Sequence, residues 1–287
     1  MSVRRRLSLA LIASAFIALL EFWGGLRSHS LALTTDAVHV CTDVLALALA
    51  LVAAIGAARP ADPRRTFGYG RIEVLGALVN GTILLVATVA IVYEAARRFA
   101  APVEPSAVMM TLVATIGLAV NGAVGLMLRE SGKRDLNVRA ALFHIFGDAL
   151  GGAAVIVGGI LIALTHRAWI DPLLSLFVAA IIVVGVVRVL RDATDVLLES
   201  VPGDVNAADL TDHIARIPGV AGVHDLHVWS IASGSHALSA HVLLDDRRLS
   251  EATTVLQEID ECVKSHFGIS HLTIQFECHD CPVTVRH

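Results

Sequence analysis

The stretch DAVHVCTDVLALALALV, which runs from Asp36 to Val52, places ionisable side chains inside an otherwise apolar run. A helix of about 20 apolar residues crosses a bilayer, and a charged group near its centre costs at least ~2.5 kcal/mol unless it has a partner. His39 and Asp43 are four residues apart, so a helix presents them one turn apart on the same face. The stretch therefore predicts a membrane-spanning helix with a functional polar face.

The composition of the whole chain agrees with a membrane protein. Of its 287 residues, 55% are hydrophobic, and the mean hydropathy is +0.71, whereas an ordinary soluble domain has an apolar share of about 45–50%. The apolar residues form long runs, which favours helices over a barrel of short alternating strands. We expect a multi-pass α-helical membrane protein with six transmembrane helices, at residues 7–26, 31–58, 72–99, 106–128, 139–165 and 170–190.

The basic residues near the predicted helix ends lie mainly on one side of the membrane. By the positive-inside rule, we expect both termini in the cytoplasm. As a separate expectation, we place the chain in the bacterial cytoplasmic (inner) membrane. The first 20 residues have the charge and apolar run of a signal peptide, but they lack a small-residue cleavage site and are followed by Glu21 and further spans. We therefore expect a retained first helix.

Residues 203–287 differ from the part before them. They hold five Lys and Arg against twelve Asp and Glu, and nine of the thirteen histidines, which suits a domain that handles metal. Their periodicity predicts the order α-β-β-α-β, with one helix ending at Pro218 and Gly219, and suggests a small open sheet with helices on one face. We therefore divide the chain into a six-helix membrane domain, residues 1–202, and a soluble α+β domain, residues 203–287.

The fifth predicted span repeats the His-x-x-x-Asp spacing with His144 and Asp148. If the two helix faces meet, two imidazoles and two carboxylates converge, and these mixed donors suit four-coordinate Zn²⁺. One ligand set serves several ions, so Cd²⁺, Co²⁺ and Ni²⁺ remain open. A single intramembrane His or Asp could merely hydrogen-bond a neighbouring helix, but two copies of one spacing favour a metal site.

The same donors suggest how such a site works. Metal binding requires neutral imidazole and ionised carboxylate groups, so binding releases protons and protonation releases metal. A site that opens alternately to the two sides would therefore exchange metal for protons. Asp36, about two turns before Asp43 on the same face, could be a relay on this path or could cap the start of the helix, and we favour the cap.

Four segments resemble the cation diffusion facilitator transporters, over nearly the whole chain: SLALTTDAVHVCTDVLALALAL, RRTFGYGRIEVLGALVNG, HIFGDALGG and GVHDLHVWSIASGSHALSAHV. The resemblance implies a homodimer of six-helix subunits with a cytoplasmic ferredoxin-like, metallochaperone-like tail, exporting divalent metal against protons. It implies that the transported ion, in the version associated with zinc and often cadmium, binds His39, Asp43, His144 and Asp148. It also implies a charged contact of Arg71 with Glu199.

The loops depart from this family pattern in two places. The segment RESGKRDLNVR, between the fourth and fifth helices, has no histidine-rich run, so we expect no delivery of metal by that loop. The segment ARPADPRRTFGYGR offers only Asp62 among good ligands, so we expect no metal there.

The resemblance also implies a metal site in the tail, at His224, His241 and Glu277. Two imidazoles and one carboxylate leave a fourth position for water, His271 or a thiolate. We expect zinc to be both the transported substrate and a regulatory ligand that bridges acidic segments and tightens the dimer through the tail.

The segment ECHDCP contains a Cys-x-x-Cys pair, Cys278 and Cys281. The spacing is typical of half a zinc knuckle, so these cysteines with His271 form a further possible site. The alternative is a reduced terminus that binds no metal.

Other classes of function have less support in the sequence. The His-Glu-x-x-His motif is absent and no Ser or Cys nucleophile has a plausible base nearby, which argues against an intramembrane metal-dependent enzyme. Fixed ligands would hold ions too tightly for the fast conduction of a channel. A metal sensor or receptor is the remaining alternative, and saturable transport would separate it from an exporter. We expect metal ions, protons and the lipid bilayer as partners, and neither an organic cofactor nor nucleic acid.

Overall fold

The computed structural model describes residues 3–57, 59, 61–129, 136–232, 234–245 and 248–278. Within its helices, the description leaves out the side chains of residues 3–8, 10, 46, 47, 50, 51, 53, 54, 57, 128, 129, 136–145 and 249. The chain forms two compact units. One comprises Met1–Leu51 and Ala77–Leu190, and the other comprises Val52–Gly76 and Arg191–His287.

Long helices make up the first two hundred residues, as the composition predicts. They are α1 (Val3–Ser28), α2 (Leu31–Ala57), α3 (Arg71–Ala100), α4 (Ala107–Arg129), α5 (Leu136–Thr165) and α6 (Ile170–Leu197). Five described stretches are long and apolar enough to cross a membrane: Leu11–Ser28, Arg71–Ala100, Ala107–Met127, Phe146–Thr165 and Ile170–Leu197. Helix α2 has 27 residues, which is about 40 Å at 1.5 Å per residue. Helix α6 continues beyond the predicted end at residue 190, because hydropathy falls there while the local hydrogen bonds of a helix do not require apolar side chains.

The first unit is held together by close helix packing. Helix α4 packs against α5 and α1, and a buried cluster joins Leu33 of α2, Met110 of α4 and Val155 of α5. Small residues permit close approach, since a Cβ atom at Gly24 would lie 2.8 Å from the side chain of Val113. Such contacts stabilise helix pairs in membranes, where dispersion rather than the hydrophobic effect drives association.

The beginning of α2 is held by a buried carboxylate from α6. The side chain of Asp171 is fully buried, and it accepts hydrogen bonds from the backbone N–H of Leu31 at 2.7 Å and of Ala32 at 3.2 Å. It also accepts one from Ser30 Oγ at 2.6 Å and lies 3.3 Å from Nη1 of Arg98 in α3. The first N–H groups of a helix have no intrahelical partner, and a negative charge there complements the helix dipole. Asp171 therefore fixes the start of the helix that carries the first predicted metal ligands.

The tail has the predicted order of elements. They are α7 (Ala207–Ala215), β1 (Val220–Ala232), β2 (Ser235–Leu244), α8 (Leu249–Phe267) and β3 (His271–Cys278). Strand β1 is antiparallel to β2, and β3 is parallel to β2 because α8 crosses over between them. Helix α7 ends before the predicted stop at Pro218 and Gly219, since the residue before a proline disfavours the helical conformation.

One face of this sheet forms the core of the tail. Leu210 and Ile214 of α7, Leu238 and Val242 of β2, and Ile259 of α8 are almost completely buried together. Successive residues of a strand point to opposite faces, so Ala240 shares the core face of β2 with Leu238 and Val242. Ser239 and His241 lie on the other face. The helices thus cover one side of the sheet and leave the second side for polar groups.

The connection between α2 and α3 is tied by polar contacts within the second unit. Asp62 accepts hydrogen bonds from Tyr69 Oη at 2.6 Å and from the backbone N–H of Arg65 at 2.8 Å. The Tyr69 bond, followed by the backbone bonds, lowers the pKa of Asp62. Next to it, Arg71 Nη2 lies 3.0 Å from Oε1 of Glu199, so the structure contains the charged pair that the resemblance implies.

Candidate metal centres

Three of the four predicted membrane ligands meet between α2 and α5. One donor atom from each of His39, Asp43 and Asp148 lies within 4.8 Å of the others. Nδ1 of His39 is 3.7 Å from Oδ2 of Asp43, as their one-turn spacing requires. His144 lies one turn before Asp148 in α5, and its side chain is outside the described residues. The two predicted helix faces therefore face each other.

The exposure and charge of this cluster suit a divalent cation. Asp148 is 6% exposed, whereas the side chains of His39 and Asp43 are 30% and 25% exposed. In their metal-binding form, two ionised carboxylates beside one neutral imidazole carry two negative charges, whose mutual repulsion grows as the surroundings become less polar. A divalent cation cancels this charge and accepts lone pairs from all three groups, so the arrangement can bind one.

Two more acidic side chains are buried in the same unit, Glu21 of α1 and Asp36 of α2. They lie against Gly117 and Gly151, where a Cβ atom would approach their oxygens to 2.5 and 2.8 Å. Asp36 is inside α2, and the first N–H groups of that helix bond to Asp171. The interpretation of Asp36 as a helix cap is therefore wrong, because a residue from a distant part of the chain takes that role.

In the tail, one donor atom from each of His224, His241 and Glu277 lies within 4.8 Å of the others. His224 and His241 are opposite each other across β1 and β2. Gln275 is opposite His241 across β2 and β3, and Glu277 follows two residues later. Residues two apart on a strand share a face, so the register places all three on the side of the sheet away from the core.

Glu277 contacts both imidazoles. Its Oε2 is 3.0 Å from Nε2 of His224, and its Oε1 is 2.8 Å from Nδ1 of His241. Partial burial raises the pKa of Glu277, but hydrogen bonds with His224 and Gln275 and the charges of the two histidines outweigh it, so the pKa lies below its ordinary value. The side chain is therefore ionised at neutral pH, which is the form that binds metal.

Asp225 also joins this cluster, and sequence reasoning missed it. The register of β1 is irregular between His224 and His227, and Asp225 has a φ of 50°. Its carboxylate lies 3.0 Å from Nε2 of His227 and 3.6 Å from Nε2 of His241. Simple alternation puts Asp225 on the opposite face from His224. The tolerance of Asp for the left-handed region is a weak hint of the irregularity, and nothing else in the sequence locates it.

Of the second site predicted for the tail, the two residues that the structure describes, His271 and Cys278, do not meet. His271 begins β3 and Cys278 ends it, so their Cα atoms are about 23 Å apart at ~3.3 Å per residue. His271 packs edge-on against Phe67, with ring centroids 5.7 Å apart. Cys278 is disulfide-bonded, so its sulfur is not a free thiolate, and Cys281 lies outside the described residues. Proximity in sequence was misleading because an extended strand separates its two ends.

Comparisons with known proteins match two successive parts of the chain. The family model for the cation efflux transmembrane domain matches residues 7–198. The model for the cytoplasmic domain of cation efflux proteins matches residues 202–279. This chain belongs to the cation efflux family. The assignment confirms the resemblance to cation diffusion facilitators.

Individual members of the family are similar over almost their whole length. The metal cation efflux system protein CzcD of Cupriavidus metallidurans is 38% identical over 277 residues, which cover 96% of this chain and 87% of that protein. The cadmium, cobalt and zinc/H⁺-K⁺ antiporter of Bacillus subtilis is 37% identical over 262 residues, 90% of this chain and 84% of that protein. A solved structure, the metal-bound C-terminal domain of the CzcD transporter, is 40% identical, with a TM-score of 0.24, and covers 25% of this chain and 99% of that one.

Membership of the cation efflux family establishes the general activity of the chain. This cation efflux protein is an integral membrane transporter of divalent metal cations, not an enzyme. The predicted fold class, several apolar helices followed by a cytoplasmic domain with a small mixed sheet, is confirmed.

Proposed function

We propose that this cation efflux protein exports Zn²⁺ from the cytoplasm in exchange for protons, with Cd²⁺, Co²⁺ and Ni²⁺ as further candidate substrates. The observation that carries the proposal is the convergence of His39, Asp43 and Asp148 between two helices. His144, one turn before Asp148, supplies the fourth donor. Mixed imidazole and carboxylate donors are a typical zinc ligand set, although they do not exclude related ions. The printed name of the Bacillus relative, which includes zinc, cadmium, cobalt and protons, supports the same substrates.

The exchange follows from the chemistry of the ligands. An imidazole or carboxylate that binds a proton loses the lone pair or charge that holds the metal. On the side with more protons the metal therefore leaves, and on the other side the protons leave and metal binds again. The exporter needs the ligands to face each side in turn, and the proton gradient then drives the ion outward.

We assign transport to residues 1–202 and metal-linked dimerisation to residues 203–287. The family model that matches residues 202–279 is named as a dimer domain, which supports a homodimer. The distribution of basic residues supports cytoplasmic termini, and the bacterial relatives support the inner membrane.

Zinc uptake into vesicles that contain the purified protein tests the transport proposal. We expect saturable uptake that rises with an imposed pH gradient in the wild type. Asp148→Ala should lower uptake by at least about 100-fold, because removal of a ligand costs more than the roughly 10–100-fold cost of losing an outer-shell partner. Cys41→Ser is the matched control, since Cys41 lies on α2 beside the ligands and is exposed. Zinc uptake that ignores the gradient, or full uptake by Asp148→Ala, would contradict the proposal.

Zinc in the tail serves as a regulatory ligand in this proposal. A cation bound at His224, His241 and Glu277 offsets the negative charge of the tail and so favours association of two tails. Small-angle scattering of the full-length dimer should show a more compact particle with zinc, and His224→Ala should abolish the difference. His266→Ala is the control, because His266 lies outside the cluster on α8 and contacts the backbone of Cys262. Equal dimensions with and without zinc would leave the tail as a passive dimerisation module.

A further inference from the structure

The irregular stretch of β1 brings to the tail cluster a carboxylate that the predicted ligands do not require. We propose that Asp225 positions His241 for metal binding, by accepting the Nε2 hydrogen of its imidazole and so leaving Nδ1 to the metal. This inference rests on the proposed metal binding by the tail. It adds a positioning residue, not a ligand, to that site.

The two nitrogens of His241 have different acidic neighbours. Nδ1 is 2.8 Å from Oε1 of Glu277, beside the nitrogen of His224 that contacts the same carboxylate. Nε2 is 3.6 Å from Oδ2 of Asp225. The ring is mostly buried, with 19% of its side chain exposed. His241 therefore lies between one carboxylate that belongs to the predicted ligand set and one that does not.

The position of the imidazole hydrogen links these two contacts. A neutral imidazole carries one hydrogen, and without metal the short contact of Nδ1 with ionised Glu277 favours that hydrogen on Nδ1. A metal that takes the Nδ1 lone pair requires the hydrogen on Nε2, which faces Asp225. The 3.6 Å separation is longer than a hydrogen bond, and we expect it to shorten in this tautomer. Metal-binding histidines commonly donate their second N–H to a carboxylate or a carbonyl in this way.

The backbone of Asp225 gives an independent reason to assign it a role. A regular strand would turn residue 225 toward the face opposite His224. The register shift and the left-handed φ of 50° accompany its placement beside His241 instead. Residues other than glycine seldom adopt this region, although Asp tolerates it better than most, and such conformations concentrate at functional sites. Glycine adopts this conformation most easily, so the carboxylate is the feature that Asp225 adds at this position.

His227 is a second neighbour of Asp225 and is not part of the predicted ligand set. Its Nε2 lies 3.0 Å from Oδ1 of Asp225, and 65% of its side chain is exposed. An ordinary surface pair of these two residues is the competing explanation for the geometry. The two explanations differ in which substitution weakens metal binding, because only the proposed role acts through His241.

The test measures zinc affinity in the full-length protein, in a background with Asp43→Ala and Asp148→Ala so that the membrane cluster does not compete. Competition with a fluorescent zinc chelator reports the affinity, and thermal unfolding without metal reports stability. Asp225→Gly should weaken zinc binding by about 10–100-fold while the metal-free unfolding temperature stays unchanged or rises. Asp225→Asn, which keeps an oxygen acceptor without the charge, should fall between Asp225→Gly and the wild type.

Two further measurements separate positioning from a structural effect. Nitrogen NMR of histidine-labelled protein should show the Nε2–H tautomer of His241 in the zinc-bound state. At one zinc concentration below saturation, the fraction of this tautomer should be lower in Asp225→Asn than in the background protein. His227→Ala, the matched control, should bind zinc as the background protein does.

Zinc binding by Asp225→Gly at the background affinity would overturn the role of Asp225, as would an equal loss in His227→Ala. The role would also be overturned if Asp225→Gly lost zinc affinity only to the extent that it lost stability without metal. A different result would show that the tail cluster does not bind zinc at all. In that case the background protein and its His224→Ala variant would bind zinc equally.

Discussion

The membrane cluster and the tail cluster use the same kinds of donor but assemble them by different routes. In the membrane, a single turn of α2 supplies His39 and Asp43, and one further helix supplies Asp148. In the tail, each of three strands supplies one donor, at His224, His241 and Glu277. Local helical spacing therefore brings together two of the three membrane donors, His39 and Asp43. The tail donors come together only through the register of the strands. A change in local sequence should therefore affect the two sites differently.

The two regions also differ in what supports the donors. The membrane helix α2 starts against Asp171, which is fully buried and accepts several hydrogen bonds. The tail donors are supported by partly exposed contacts with one another and with Asp225. Loss of a buried charge partner costs more than loss of an exposed one, because the group left behind has no access to water. The following tests are ordered by the expected size of their effect.

Asp171→Ala should distinguish the two regions most strongly. It removes a buried carboxylate, leaves the first N–H groups of α2 without an acceptor and leaves Arg98 without its buried partner, a change that typically costs about 3–5 kcal/mol. Thermal unfolding in detergent should show this loss, and zinc uptake should fall because α2 loses its fixed start. Asp192→Ala, on the exposed side of the same helix, should have little effect. Zinc affinity of the tail should be unchanged, and an equal loss there would contradict the separation of the two regions.

Matched substitutions of the carboxylate ligands should sharpen the comparison. Asp43→Asn and Glu277→Gln each keep the shape of the side chain and remove its charge. We expect zinc affinity at the altered site to fall by at least about 100-fold, or about 2.8 kcal/mol, because a charged ligand costs more to lose than an outer-shell partner. Zinc uptake should be nearly abolished in Asp43→Asn but only reduced in Glu277→Gln, because the proposed role of the tail is to regulate transport and not to hold the ion in the membrane. Equal uptake by the two variants would remove this distinction.

The lowered pKa of Glu277 predicts how the metal-free tail responds to acid. A carboxylate whose pKa is lower in the folded state stabilises the fold above its unfolded pKa, which is about 4.3, and that contribution is lost as the pH falls through the folded value. The wild type should therefore be more stable than Glu277→Gln at neutral pH, and the difference should disappear in strong acid. Thermal unfolding of both proteins in chelator, over a series of pH values, checks this. A difference that grows in strong acid would contradict the assignment.

The pair of Arg71 and Glu199 should show the smallest effect. Their side chains are 41% and 58% exposed, and exposed pairs are typically worth about 0.2–1 kcal/mol. A double-mutant cycle with Arg71→Glu and Glu199→Arg should give a coupling energy in that range, with partial recovery in the charge-swapped double variant. Arg64→Glu is the control, because Arg64 is exposed in the same connection. Absence of coupling would show that the 3.0 Å contact does not stabilise the second unit.

Much of the fold was predictable because its signals are local. Long apolar runs predicted the membrane helices, and alternation predicted the strands of the tail. The helix ends were less accurate, as at Leu197, because hydropathy does not report where hydrogen bonding stops. The two ends of β3 illustrate a different limit. His271 and Cys278 looked close in sequence, but an extended strand holds them apart.

In the candidate sites, too, some features follow from local spacing and others depend on contacts between distant segments. His39 with Asp43 follows from helical spacing alone, since residues four apart share a face. The roles of Asp36 and Asp225 could not be derived in this way. Asp171, more than a hundred residues away in sequence, caps α2, and an irregular strand places Asp225 beside His241. Both results depend on contacts between segments that sequence spacing does not relate.

The sequence by itself determined that the chain crosses the membrane, that it ends in an acidic α+β domain and that it carries paired His-x-x-x-Asp motifs. These properties depend on composition and on the repeat of a helix or strand, which act over a few residues. Only the tertiary structure decided that α2 and α5 bring three donors close together, that Asp171 holds the start of α2 and that Asp225 lies beside His241. Such contacts depend on helix packing and strand register, which are set by the balance of many distant interactions.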